Sequence, residues 1–405
     1  MTLDGYAGRR LEILARDRAR FGAGVIAELP AAVRDLGGTG AFIVTDPGVV
    51  RSGVAGRVVD LLRADGLAVE VFDGVEPNPG TRTVDSGADR LRVLVAGLAT
   101  TGAAADASSG ITVIGLGGGS AMDSAKAIAL HAPNQRAVMS LGYHDETVVP
   151  GIPVIAIPTT AGTGAETNTY GVITDESVGR KGYVGHESVL PKLAILDPEL
   201  TLGLPPDPTA ATGVDAMTHS LESLLSKNPN PLAEAIALGT IRTVGEWLPV
   251  AVSDGANLEA RSRMLLAAHY AGVGQQTGTG VGAVHAIGHA IGTRGRIAHG
   301  TALATVMPEV FETYLGVRDR ELALVAVALG VADPRDQRAE AARSGVAAVR
   351  SLLERVGQRR TLTAQGLGPE THATIAQDAI DDAAINNSPR LPDRDDVVAI
   401  LARVA

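Results

Sequence analysis

A chain of 405 residues, 45% hydrophobic and 20% charged, can bury two cores, so two domains are expected rather than one. The net charge of −10 argues against nucleic-acid binding, and the absence of cysteine excludes disulfides, thiolate metal ligands and a cysteine nucleophile. The N-terminal MTLDGYAGRRLEILARDRARFG lacks the apolar core of a signal peptide, and no stretch reaches the roughly 18 apolar residues that span a bilayer, so a cytoplasmic protein without membrane contact is expected.

In chain order, residues 41–45 (AFIVT) read as a buried strand that ends in Asp46-Pro47-Gly48, and a helical stretch follows to about residue 64. Residues 67–72 (LAVEVF) are the next strand, stopped by the turn-forming EPNPG at 76–80. A helix over residues 81–100 leads into a loop rich in Gly, Ala and Ser at 101–110. Strands over 111–116 (ITVIGL) and 153–158 (PVIAIP) complete a pattern of strands separated by helices, which implies a mostly parallel sheet covered on both faces. Residues 170–174 and 193–196 read as further strands, forming an edge hairpin or extending the sheet. Beyond Asp197-Pro198 nothing reads as a strand. Asp207-Pro208 reads as a helix start, with Asp at the N-cap and Pro in the first turn, and helical patterns cover 232–250, 259–270 and 339–356. The domain boundary is expected near residue 200, giving units 1–200 and 201–405.

Gly117-Gly118-Gly119-Ser120 follows a strand and opens a helix. Glycines let a backbone approach a pyrophosphate, and a helix N-terminus offers free N–H groups and the positive end of its dipole. Ser120 adds a hydroxyl, and Asp123 and Lys126 fall in the first turns of the same helix. The usual dinucleotide fingerprint places an acidic residue about 20 positions after the glycines. Here the candidate, Asp46, precedes them at the end of an earlier strand. A carboxylate there would accept from ribose hydroxyls and repel a 2′-phosphate, favouring NAD over NADP; its bland reading is a turn-forming Asp before Pro. A second loop, IPTTAGTGAETN at 157–168, sets the hydroxyls of Thr159, Thr160 and Thr163 beside two glycines.

In the second half, Asp215 and His219 lie four apart, as do His285 and His289, so each pair shares a helix face. His299 follows in RIAHG. Asp215, His219, His285 and His299 form a set of one carboxylate and three imidazoles that suits a divalent first-row ion with open positions, and Fe2+ and Zn2+ both fit. The competing reading is scattered surface histidines. Of the nine histidines, His131, His144, His186, His269 and His372 lack this spacing and read as structural or surface residues.

The blocks GLGGGSAMDSAKAIAL, IPTTAGTGAETN, LAILDPELT, TGVDAMTHSLESLLS and VHAIGHAIGTRGRIAHG together resemble the iron-containing alcohol dehydrogenase family, over nearly the whole chain. The resemblance implies a Rossmann-like α/β N-terminal domain and an all-α C-terminal domain, a dehydroquinate synthase-like fold. It implies that Asp215, His219, His285 and His299 hold a divalent metal, Fe2+ first and Zn2+ as an alternative, and that His289 is a proton-relay group near the nicotinamide. It implies that Asp46, Asn78, Gly118, Gly119, Ser120, Asp123, Thr159, Thr160, Thr163 and Lys181 contact NAD. It further implies hydride transfer between NAD(H) and a small alcohol or aldehyde by a homodimer or larger assembly.

Ala290 and Ala298 stand where many members have Pro; neither is a ligand. Gln275-Gln276-Thr277 replaces an aromatic found in many members, so a polar substrate is expected. The rival readings are a dehydroquinate synthase-like lyase, which would need a basic cluster for a phosphorylated substrate with Arg294 and Arg296 as candidates, and a non-catalytic NAD- and metal-binding regulator. A plain metallohydrolase leaves the glycine loop unexplained.

Overall fold

The computed structural model describes residues 18–100, 110–142 and 145–405. Eight strands are present among them: β1 (Ala19–Phe21), β2 (Gly40–Val44), β3 (Ala68–Phe72), β4 (Ile111–Gly117), β5 (Val154–Pro158), β6 (Tyr170–Asp175), β7 (Arg180–Gly185) and β8 (Leu193–Leu196). Six of them pair in parallel in the order β1-β8-β5-β4-β2-β3, while β6 and β7 form a separate antiparallel hairpin. Of the two alternatives for the last strands, 170–174 is therefore in a hairpin and 193–196 extends the sheet. β2, β4 and β5 are buried along their whole length, which is why they read as unbroken apolar runs rather than alternating ones.

Helices cover both faces. Side chains of β2 alternate, so Phe42 and Val44 pack with Val84, Leu91 and Ile128 of α4 (Thr81–Thr100) and α5 (Gly119–Asn134). Ala41 and Ile43 pack on the other face with Val33, Val58 and Leu62 of α1 (Leu29–Asp35) and α3 (Val54–Ala64). The short α2 (Pro47–Arg51) follows β2 directly. The chain runs from β2 outward to β3, then crosses back to place β4 on the other side of β2. That reversal opens a crevice at the carboxyl ends of β2 and β4, the place where open α/β sheets bind ligands. Asp46 and the glycine loop end these two strands.

From Pro206 onward the described residues form helices and turns only: α6 (Pro206–Leu225), α7 (Pro231–Ser253), α8 (Leu258–Gln275), α9 (Ala283–Gly295), α10 (His299–Glu312), α11 (Asp319–Ala328), α12 (Arg338–Arg355), α13 (His372–Asp381) and α14 (Arg394–Arg403). They share one apolar core that includes Val214, Leu221, Ile241, Leu248, Ile287, Leu303 and Phe311.

Three expectations change. Asp207 is not the helix cap: Pro205 occupies that position and Pro206 the first turn, because fixed proline φ angles pre-set a helix start. Asp207 instead accepts from Gln358 at 2.9 Å and from Arg360. Strands β1 and β7 were not legible, the first being three residues long and the second (RKGYVG) largely polar. And α7, with mean hydropathy 1.2, is long and apolar enough to cross a membrane by length and composition; in this fold it packs against α6 and α8. The expected loop at 101–109 lies outside the described residues.

Candidate metal centre and adjoining cleft

Three helices converge on one carboxylate. Asp215 and His219 project from one face of α6, His285 comes from the first turn of α9, and His299 opens α10. The approach of α10 to α6 requires Gly300: a Cβ there would lie 1.8 Å from the carbonyl oxygen of Ala211. Around Asp215 Oδ1 stand His219 Nδ1 at 3.6 Å, His285 Nε2 at 3.5 Å and His299 Nε2 at 3.6 Å. Ligand atoms around a tetrahedral ion with bonds of about 2.1 Å are roughly 3.4 Å apart, so the spacing is that of a coordination shell. Ligand atoms of Asp215, His285 and His299 all lie within 4.8 Å of one another; His219 approaches Asp215 but stands outside that tighter trio.

Asp215 Oδ1, His219 Nδ1 and His285 Nε2 are buried and have no hydrogen-bond partner. Buried polar atoms are normally paired, so three orphans facing one point fit a cation better than they fit a structural cluster. Burial works to raise the Asp215 pKa, but the neighbouring imidazoles His219, His299 and His285 outweigh it and hold the carboxyl below the usual range. Burial pushes His219 down and His299 well down, as a metal-binding neutral imidazole requires. For His285 burial is overcome by the carboxylates of Asp215 and Glu222 beside it, and the protein alone holds it up at about 9.

Glu222, which the sequence reading missed, orients this site. It lies seven residues after Asp215 on the same face of α6 and meets His285 Nδ1 at 2.6 Å. The same carboxylate accepts from the backbone N–H groups of Gly282 (2.9 Å) and Val284 (2.7 Å), so it also caps α9. A carboxylate behind a ligand imidazole fixes its tautomer and raises its basicity. Asp382 was missed as well; it pairs with His289 Nδ1 at 2.7 Å. Spacing could have flagged Glu222, whereas Asp382 is 93 residues from its partner and gave no local signal.

One cleft joins this cluster to the glycine loop. Asp215, His219, His285, His289 and His299 line it together with Asn78, Gly119, Ser120, Asp123, Thr163 and Lys181. A Cβ at Gly119 would lie 2.6 Å from the Thr163 side chain, so glycine there lets the two loops pack closely. Asn78 holds a left-handed backbone (φ 54°) before Pro79, a conformation asparagine tolerates. Gly118 caps α5 beside Thr160, and Thr159 donates its N–H to the Gly117 carbonyl at 2.9 Å; Gly118, Thr159 and Thr160 shape the loop without lining the cleft.

Asp46 also lies outside the lining. Its Oδ1 accepts from Gly48 (2.7 Å) and Val49 (3.1 Å) as the cap of α2, and its Oδ2 faces Gly117 across the crevice. The turn reading of Asp46 is thus observed, and its second oxygen is left beside the glycine loop. Lys126 is wholly buried, bonded to the Ala165 carbonyl at 2.7 Å, to Asn168 and to Asp123 at 3.2 Å, and it ties α5 to the second loop.

Of the run Gln275-Gln276-Thr277, only Gln275 lines the cleft; the Thr277 hydroxyl turns back to the Gly274 carbonyl at 2.7 Å. Arg294 pairs with Asp378 at 2.7 Å and Arg296 ends α9, both outside the lining residues.

His269, read as structural, meets Glu166 at 3.2 Å with both side chains buried, and so links the second loop to α8. His131 pairs with Asp85 at 3.0 Å and His186 with Ser188 at 2.8 Å, away from the cluster. His144 lies outside the described residues.

Comparison with known proteins matches residues 17–198 to the family model described as iron-containing alcohol dehydrogenase, and residues 209–405 to the C-terminal model of the Fe-containing alcohol dehydrogenase family. The chain is 34% identical to the probable alcohol dehydrogenase EutG of Salmonella typhimurium, over 89% of this chain and 86% of that protein. It is 32% identical to the NAD-dependent methanol dehydrogenase of Bacillus methanolicus, over 94% and 96%. Among solved structures, a 1,3-propanediol oxidoreductase superposes with a TM-score of 0.90 at 30% identity, covering 98% of this chain and all of that one.

Proposed function

Since the chain belongs to the iron-containing alcohol dehydrogenase family, we propose that it interconverts small alcohols and aldehydes with NAD(H) at the cleft described above. The observation that carries this reading is Asp215 Oδ1 ringed by three imidazole nitrogens at 3.5–3.6 Å, in the same cleft as the glycine loop. When bound, a divalent ion supplies Lewis acidity toward a substrate oxygen, and the nicotinamide supplies or accepts hydride.

The chain's own residues do the rest. Asp215, His219, His285 and His299 would hold the ion, Fe2+ or alternatively Zn2+, with Glu222 fixing His285. Gly119, Ser120 and Thr163 would cradle the diphosphate at the start of α5, in a loop shaped by Gly118, Thr159 and Thr160, with Asn78, Asp123 and Lys181 toward the nicotinamide end and Asp46 at the ribose. His289 would carry the proton. An ionised Asp382 accepts from His289 Nδ1–H, which leaves Nε2 as the basic nitrogen. Burial lowers the His289 pKa against the pull of Asp382, so the ring is neutral and able to accept a proton near pH 7.

The reading includes two units meeting near residue 200 and a cytoplasmic homodimer or larger assembly, supported by the family relationship. It disfavours a lyase acting on a phosphorylated substrate: among the residues lining the cleft, Lys181 is the one basic side chain besides the imidazoles.

The test is NADH absorbance with an alcohol and aldehyde panel, using metal-free protein reloaded separately with Fe2+, Zn2+ and Mn2+. Metal-dependent turnover of at least one small alcohol is expected. No turnover by any metal form would leave the non-catalytic regulator as the better reading.

A further inference from the structure

We propose that Gln275 selects substrates bearing a second, uncharged hydroxyl close to the reacting carbon: small diols and the hydroxyaldehydes they yield. This rests on the dehydrogenase reading above and names its substrate class.

The helical half contributes seven residues to the cleft lining. Five are Asp215, His219, His285, His289 and His299, already committed to ion and proton; Gln275 and Val281 remain. A substrate tail facing that wall meets one amide and one apolar side chain. Gln275 is the last residue of α8 and half-buried, and among the described residues its amide has no hydrogen-bond partner, only its backbone carbonyl receiving a long contact from Thr279 at 3.5 Å. Neighbouring hydroxyls are already satisfied: Thr277 bonds to the Gly274 carbonyl, and Thr279 to Ser223 at 3.1 Å. The primary amide is thus the one group on this wall left to read a polar substituent.

An amide both donates and accepts, which matches a hydroxyl. An alkyl chain in its place would strip water from the amide and return nothing, and sites built to bond a hydroxyl reject analogues without one. A carboxylate tail is disfavoured too. The amide brings no counter-charge, and Asp123 and Asp215 already line the cleft. Lys181 sits on the β7 wall and answers the fields of Asp123, Asp215 and Asp382.

The test compares 1-propanol, 1,2-propanediol, 1,3-propanediol and 3-hydroxypropanoate in the metal-replete enzyme with NAD, for wild type, Gln275→Leu and the volume-matched Gln275→Met. At least one diol should exceed 1-propanol in kcat/KM by about 10- to 100-fold. Both variants should bring the ratio within about threefold, through a higher diol KM. Saturation-transfer NMR on metal-free protein should show diol contact that Gln275→Leu removes. The proposal is overturned if 1-propanol matches the diols, if 3-hydroxypropanoate is the best substrate, or if the variants keep the preference. Each of those results leaves the dehydrogenase reading intact, whereas no turnover of any alcohol would remove that reading and this one together.

Discussion

Asp215 and Glu222 divide the work at the centre: one faces the ligand point, the other stands behind His285. Glu222→Gln keeps an acceptor for the α9 N–H groups but lessens the pull on His285 Nδ1. Metal affinity should fall about 10- to 100-fold in a chelator competition, and an unchanged affinity would show that Glu222 is only a cap. His285 gives a second prediction. In metal-free protein its pKa is about 9, above the ordinary 6.5, so the stability it contributes is full below pH 6.5 and lost as pH rises through 9. The Tm of metal-free protein should decline across that window by calorimetry. Asp215 acts in the other sense, but only in acid. Lys126 and Lys181, their pKa values lowered by burial, act in the opposite sense toward alkaline pH, so the decline is read as wild type against His285→Asn, and equal pH profiles would be inconsistent with a charged His285. Asp46→Gly removes a cap that glycine largely replaces, so stability should fall by only a few tenths of a kcal/mol. Relief of like-charge repulsion should raise kcat/KM with NADP about tenfold. Unchanged rejection of NADP would leave Asp46 as a turn residue. That Asp215 and His219, and His285 and His289, share helix faces and line one cleft was legible from their spacing. Glu222 and Asp382 were not, because a partner residue is fixed by packing between helices distant in sequence.

Helices place these residues, and glycine sets how closely helices meet. Gly300→Ala would drive a methyl into the Ala211 carbonyl, so α10 must move away from α6. A loss of about 1–3 kcal/mol is expected by denaturant unfolding, together with weaker metal binding because His299 moves with α10. If stability dropped and metal affinity did not, the α6–α10 contact would be structural only. The central strands were legible because burial on both faces makes them continuous apolar runs. β1 and β7 were not: β1 takes its pairing from β8, more than 170 residues away, and β7 from the hairpin partner β6. Of the polar run at 275–277 the sequence suggested three residues facing the substrate; the end of α8 turns one of them in.

In the whole molecule, the proposed ion ligands lie in the helical half and the proposed nucleotide loops in the sheet half. The two are tied where Gly164 meets Gly272 backbone to backbone and Glu166 pairs with His269. Such a division predicts separable binding. Stripping the metal should change the NADH dissociation constant by no more than a few-fold in a fluorescence titration, and a change beyond tenfold would mean that the halves act as one site. A composition rich in Ala and Gly does not say which faces touch, so this join was not legible from sequence.

The ligand set is also uneven in its access to water. The side chains of Asp215 and His285 are each 3% exposed and that of His219 8%, but His299 is 27% exposed. An ion held by these four residues would therefore meet water mainly on the side of His299, which lines the cleft. Whatever fills that cleft would then stand in the doorway, and exchange of such an ion would become a matter of how often the cleft is empty.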